Sequence, residues 1–256
     1  MTIIPLSEGS FTIDKTKIFV PFDTAKDNLQ HRPTGSLLVE VQPFCIITQK
    51  DILLIDTGLG FTENGELQLH KNLIAQGIQP HQVTKVLLSH LHKDHAGGVS
   101  KRDVIGNYTL SCTNAIYYVQ QQEFETAMET GYPSYITDEF CVLHNHPQVV
   151  WLHGNGMIDN YIKYEVTHAH SKFHQVFWIR EGNEIIFFGG DDAPQLQQMK
   201  SKFVAKYDYN GKKCMELRQE WWQEGNEQQW TFLFYHDIKT PAFIACKDGK
   251  PTITPF

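Results

Sequence analysis

His90-Leu91-His92-Lys93-Asp94-His95 follows the apolar run Val86-Leu87-Leu88-Ser89 and leads into Ala96-Gly97-Gly98. Residues 83–88 read as a short strand, so the motif sits at a strand's mouth. His90 and His92 are two apart, and in extended chain both point to one side, where they can chelate one ion. Asp94 and His95 lie beyond, where the chain must turn, and can reach a second ion. Imidazole and carboxylate without thiolate suit zinc, with iron or manganese as alternatives. The glycines let the backbone turn sharply and pass close to the ions. A merely His-rich surface loop would not need these flanks.

A pair of ions needs further ligands, and three later stretches offer them. Thr167-His168-Ala169-His170-Ser171-Lys172-Phe173-His174 follows the alternating Tyr161-Ile162-Lys163-Tyr164-Glu165-Val166. Glu184-Ile185-Ile186-Phe187-Phe188 ends in Gly189-Gly190-Asp191-Asp192, and Trp230-Thr231-Phe232-Leu233-Phe234-Tyr235 ends in His236-Asp237. Each places His or Asp at a strand terminus, where loops carry function on a rigid sheet.

Together with Ile55-Asp56-Thr57-Gly58, these motifs occur in an order that resembles the metallo-β-lactamase-fold hydrolases, over roughly residues 36–240. Within them the chain looks most like the lactonase and organophosphate-hydrolase branch. The supporting stretches are Ala115-Ile116-Tyr117-Tyr118-Val119-Gln120 before Glu123-Phe124, Gly190-Asp191 before Ala193-Pro194, and Lys206-Tyr207-Asp208-Tyr209. The resemblance implies an α/β (α+β) four-layer αββα sandwich, two mixed sheets with helices outside, as one domain over residues 1–256. It implies two divalent ions. His90, His92 and His170 would hold the first, Asp94, His95 and His236 the second, and Asp191 would bridge them. A hydroxide between the ions would be the nucleophile, because paired cations lower the pKa of bound water. Asp94 would also relay a proton to the leaving group.

His168 and His174 compete with His170 for the ligand role. The family pattern here is Thr-Pro-Gly-His, which favours His170, although His168 and Ala169 stand where proline and glycine are usual. Asp192 competes with Asp191, which directly follows the glycine. Asp56 is expected to orient a ligand histidine or its loop. Relatives with a di-iron redox centre carry Glu where this chain has His92, so hydrolysis is favoured over electron transfer. Lactonase relatives often place a Tyr soon after the bridging Asp; this chain has Asp192-Ala193-Pro194-Gln195, leaving Tyr207 or Tyr209 as substitutes. Phe22, in the aromatic segment 17–31, is a second candidate for the substrate pocket. The expected reaction is hydrolysis of a lactone or related ester. A phosphoester or organophosphate on the same site is the alternative, as is a non-catalytic metal-binding protein.

Composition fits that reading. The chain has 256 residues, 41% of them hydrophobic, and a formal net charge of −7. The negative balance argues against nucleic-acid or anionic-membrane partners. No stretch approaches the roughly 18 apolar residues of a membrane span, and the first residues lack the pattern of a signal peptide. Cys45, Cys112, Cys141, Cys214 and Cys246 are scattered without CxxC spacing, as expected for small buried side chains in a reduced, cytoplasmic setting. A small-molecule substrate and a monomer or homodimer are expected.

The remaining elements follow from pattern. Residues 36–47 and 51–55 read as a hairpin around Thr48-Gln49-Lys50. Residues 66–76 read as a helix stopped by Gly77, and 108–112 as a strand. Thr113 is expected to cap a helix running to Met128. Residues 131–149 are irregular, as a lid or, more simply, a surface insertion. Residues 212–223 read as a helix with Trp221 and Trp222 in core or interface. Residues 242–246 and 252–254 are expected to pair around Asp248-Gly249.

Overall fold

The computed structural model describes residues 1–103 and 105–244. Its frame is two six-stranded sheets packed face to face. In the first, the spatial order is Thr2–Pro5, Phe44–Ile47, Ile52–Ile55, Lys85–Leu87, Ile116–Gln120, Val149–Leu152. In the second it is Gly156–Ile158, Ile162–Val166, Gln175–Glu181, Glu184–Phe188, Thr231–Leu233, Ala242–Ile244. A separate three-stranded sheet of Val20–Pro21, Gly9–Ile13 and Leu37–Val41 lies beside them. Helices cover the outer faces, giving the expected αββα layers.

Strand periodicity sorts side chains among three cores. Ile46, Leu53, Ile55 and Leu87 from one sheet meet Phe177, Ile179, Ile186 and Phe188 from the other in the central layer. Their neighbours Cys45, Leu54 and Val86 point the opposite way, to an outer core shared with Leu69 and Leu73 of helix Gln68–Ala75 and Phe124 of helix Gln121–Thr130. Val176, Trp178 and Phe187 form the third core with Trp221 of helix Gly211–Gln228. Trp221 and Phe187 stand with ring centroids 4.9 Å apart. Burying one such side chain contributes roughly 1.5–3 kcal/mol. Asn210 caps this helix by accepting the Lys213 N–H at 3.1 Å.

The hairpin around residues 48–50 is present, with Ile47 opposite Ile52. The stretch before it divides at Gln42-Pro43: Leu37–Val41 pairs with Gly9–Ile13, and only Phe44–Ile47 joins the first sheet. Pro43 has no N–H for a ladder, so the chain changes sheet there. The expectation that Thr113 begins a helix is corrected. Ile116–Gln120 is a parallel strand and the helix starts at Gln121. Residues 131–149 are no plain insertion, since Tyr135, Phe140 and Leu143 are buried in the outer core. Of the C-terminal hairpin, Ala242–Ile244 is a strand antiparallel to Thr231–Leu233; the rest falls outside the described residues. Among the described residues, no helix is long and apolar enough to cross a membrane.

Candidate metal centre

Strands Ile52–Ile55, Lys85–Leu87 and Ile116–Gln120 run parallel, as do Glu184–Phe188 and Thr231–Leu233. Ligands of open α/β sheets gather beyond the C-terminal ends of parallel strands. Here Asp56 and His90 follow two such ends in the first sheet, and Asp191 and His236 follow two in the second. His170 comes from the loop between Ile162–Val166 and Gln175–Glu181.

These residues meet. One group is His90, His92, His170 and Asp191, and the other is Asp94, His95 and His236, with the ligating atoms of each within 4.8 Å of one another. His90 Nε2 lies 2.9 Å and His170 Nε2 3.1 Å from His92 Nδ1. Asp191 faces both groups. Its Oδ2 is 3.2 Å from His170 Nε2, while its Oδ1 is 3.1 Å from His95 Nε2 and 3.0 Å from His236 Nε2. Asp94 Oδ2 stands 3.4 Å from His236 Nε2.

The donor set fits divalent cations. Atoms bound to a tetrahedral zinc at about 2.0–2.1 Å stand roughly 3.3 Å apart, close to these separations. His95 Nε2 and Asp191 Oδ1 are buried and, although 3.1 Å apart, are not aligned for a hydrogen bond, a costly state for polar atoms unless something else engages them. Burial and the neighbouring imidazoles hold His90 and His92 well below the ordinary histidine pKa, in the neutral form that binds metal. Burial opposes charge on His95, His170 and His236, yet Asp191 above all lifts them, His170 to about 9. Burial would also raise Asp191, but His236, His95 and His170 pull it well below the carboxylate range. The imidazolium charge that balances Asp191 is charge a divalent ion supplies when bound.

A surrounding layer fixes these side chains. Asp56 Oδ2 lies 2.8 Å from His95 Nδ1 and accepts the Ser89 hydroxyl, while its Oδ1 accepts the Ser89 N–H at 2.7 Å. Asp56 thus orients His95 and the entry to the motif, as expected. His95 stacks on Tyr235, whose hydroxyl donates to the Asp94 carbonyl at 2.5 Å. A Cβ on Gly98 would stand 2.2 Å from the Thr57 oxygen, so only glycine lets these loops pass.

The competing residues take other roles. His168 is exposed and left-handed at φ 51°, a conformation closed to proline. This chain therefore turns differently from the family's Thr-Pro-Gly-His. His174 is buried, accepting the Asp191 N–H at 3.2 Å, with Nδ1 2.9 Å from Asp192. Asp192 accepts the His170 N–H at 2.7 Å, and its carbonyl accepts from the buried Arg218 at 2.9 Å. It braces the loops rather than joining either ligating group.

Two residues lie in stretches that carry the resemblance, but sequence reasoning assigns neither a role at the centre. Asp208 Oδ1 lies 2.8 Å from His170 Nδ1. Glu123 is buried and accepts the Leu91 N–H at 3.1 Å through Oε1 and the Ser171 hydroxyl at 3.0 Å through Oε2, joining the two loops that carry His90, His92 and His170. Burial raises its pKa.

The centre opens into a cleft of about 510 Å³ that Asp94, His92, His170, Asp191 and His236 line on the metal side. Tyr207 lines it and is half exposed, whereas Tyr209 does not. Phe22 is corrected as a pocket residue. It is buried and absent from the lining, and Phe19, three residues earlier, takes that wall. In an irregular segment, side-chain direction cannot be read from spacing.

The sandwich and a double His/Asp cluster at its strand ends define a metallo-hydrolase-type site. Residues 38–198 match the family model of the metallo-beta-lactamase superfamily, and the chain belongs to that superfamily. Three solved structures show the same fold. A probable metal-dependent hydrolase from Staphylococcus aureus is 20% identical, covering 100% of this chain and 97% of its own at a TM-score of 0.79. AidC, a dizinc quorum-quenching lactonase, is 17% identical, covering 99% and 94% at a TM-score of 0.72. The hydrolase AbOPH is 21% identical, covering 99% and 94% at a TM-score of 0.72. No curated protein matches the sequence.

Proposed function

We propose that this chain is a dinuclear metal-dependent hydrolase, of one domain over residues 1–256, acting on a lactone or related carboxylic ester. The observation that carries the reading is Asp191, whose two oxygens each face one of two ligand groups. His90, His92 and His170 would hold one ion and Asp94, His95 and His236 the other, with Asp191 placed to serve both. Zinc suits the nitrogen and oxygen donors. When bound, the ions supply a water ionised near neutral pH and polarise the oxygen of the electrophile.

The chain's own residues do the rest. Asp94 lines the cleft with its backbone carbonyl pinned by Tyr235. Its carboxylate would take the proton that the attacking water gives up on ionising, through the oxygen not turned to His236, and pass it to the alkoxide oxygen when the acyl–oxygen bond breaks. Tyr207, on the cleft wall with its ring centroid 6.3 Å from that of His170, is assigned the acyl oxygen.

AidC is a lactonase and AbOPH a hydrolase, which supports hydrolysis and leaves phosphoesters as the second reading. The test is metal content with turnover of lactone, aryl ester and phosphotriester by the metal-loaded protein. Two ions per chain with ester or lactone turnover support the reading. Less than one ion per chain and no turnover after reconstitution overturn it.

A further inference from the structure

The cleft beside the candidate centre has a charge pattern that bond cleavage alone does not require. Lys15, Lys17, Lys93 and Lys206 line it, in a protein whose net charge is −7. Among the described residues, none of the four has an ion-pair partner; the paired lysines are Lys26, Lys71, Lys85, Lys163 and Lys212. The carboxylates lining the cleft are Asp14, Asp94 and Asp191. Asp14 Oδ1 is taken by the backbone N–H and hydroxyl of Thr16, and the two others face the imidazoles.

Lys17 and Lys93 are half-buried and held round one residue. The Lys17 ammonium donates to the Ser134 hydroxyl, and the Lys93 backbone N–H donates to the Ser134 carbonyl at 2.9 Å. The Lys93 ammonium lies over the faces of Phe19 and Tyr132, 5.8 and 5.9 Å from their centroids. Lys17 takes a left-handed backbone at φ 57°, rare for a residue with a side chain. Its N–H closes a turn on the Asp14 carbonyl at 3.0 Å. Lys93 is partly withdrawn from water, with the Asp94 and Glu139 carboxylates near it but neither in an ion pair with it, which is costly, and the local strain that persists at Lys17 points to use. The rest of the lining includes an apolar set, Ile13, Leu37, Leu38, Val39 and Pro194, which Phe19 joins to the lysines.

We propose that the substrate carries a negative charge of its own, apart from the bond that is cut, on an apolar body. The charge sits between Lys17 and Lys93, next to His92, and the body lies along Ile13, Phe19 and Leu38. The class is an amphipathic oxyanion, such as an ester or lactone bearing a carboxylate or phosphate. Lys15 and Lys206 at the more exposed positions draw it in. This inference rests on the hydrolase reading for its chemistry, but not for its binding.

The test pairs two substrates of equal length, para-nitrophenyl hexanoate and the para-nitrophenyl half-ester of adipic acid, on the metal-loaded protein at low salt. The half-ester is expected to have the higher kcat/KM, by roughly tenfold, with the advantage falling as salt is raised past a Debye length of about 10 Å at 0.1 M. Lys17→Gln and Lys93→Gln are each expected to cut the ratio about fivefold, the range of a partly exposed charge pair, through KM rather than kcat. Lys17→Arg restores it. Lys212→Gln, on the outer helix, leaves the ratio unmoved. Metal content is measured on every variant.

A ratio near one, or a ratio indifferent to both lysines, overturns the proposal. If neither ester is hydrolysed, metal content with lactone and phosphotriester turnover decides the hydrolase reading, and calorimetry with hexanesulfonate against hexanol decides the charge. Tighter sulfonate binding that Lys17→Gln and Lys93→Gln abolish supports the cationic seat, and equal binding of the two overturns it.

Discussion

His170 Nδ1 stands 2.8 Å from Asp208 Oδ1, and the backbone clamps the pair. The Tyr209 N–H donates to the His170 carbonyl at 3.0 Å, and the Asn210 N–H to the Ala169 carbonyl at 2.7 Å. A carboxylate behind a ligating imidazole fixes its tautomer and strengthens it as a donor. Asp208→Asn is therefore expected to weaken metal affinity by about 10–100-fold while leaving the fold intact. Competition with a chromophoric chelator measures this; an affinity equal to that of the parent protein would remove Asp208 from the site.

The proposed ions are bound by loops of both sheets, so occupancy reports on stability. Chelation is expected to lower Tm. Zinc at a hundredfold excess over Kd should restore about 2.7 kcal/mol per site. His236→Ala should keep one ion per chain, because the group of His90, His92 and His170 remains complete. Elemental analysis of dialysed protein checks it, and two ions retained by the variant would refute the division into two groups.

Glu123 supports the site from below. Glu123→Ala strands the Leu91 N–H and the Ser171 hydroxyl in a dry interior, at a cost of about 1–3 kcal/mol for each buried group left unpaired. Urea unfolding of the metal-free variant isolates this term from ion binding. A midpoint unchanged from the parent would show that water takes the carboxylate's place.

At another edge of the sandwich, Asp51 accepts from Lys85 Nζ at 2.5 Å, from Tyr161 and from the Thr84 hydroxyl at 2.8 Å. Lys85 also reaches Asp159 at 3.0 Å. Burial works against the Asp51 charge, but these donors win and hold its pKa below the ordinary carboxylate value. An acid depressed in the folded state stabilises the protein above its unfolded pKa and loses that contribution as pH falls through the folded one. The stability gap between the parent and Asp51→Asn is thus expected to be full at pH 6 and to close below about pH 4. Melting curves across that range test it, and a gap independent of pH would show that Asp51 acts only by shape.

Much of the candidate site was legible because its chemistry is concentrated. Residues 90–95 crowd ligand types that packing does not call for, and Asp191 and His236 sit where apolar strands stop. Asp208 and Glu123 were not legible as partners. A lone acid in a loop and one on a helix carry no spacing, and only the fold brings them to His170 and Leu91. The misread helix has a similar cause. Ile116–Gln120 is buried nearly throughout, because it lies between two parallel neighbours with cores on both faces. Such a strand loses its alternation and looks like part of the apolar helix that follows. The division at Gln42-Pro43 was masked because strands in different sheets can share one continuous alternation.

The three-stranded sheet holding Ile13, Leu37 and Leu38 is separate from the two sheets that deliver His90, Asp191 and His236. Its backbone meets the centre at Glu40, whose carbonyl lies 2.6 Å from His236 Nδ1, while the side chains of Ile13, Leu37 and Leu38 form the far wall of the cleft, so substitutions there change the wall and leave that backbone contact in place. Over generations the ligand cluster can stay constant while this wall drifts, so what the cleft accepts can change faster than the centre beneath it.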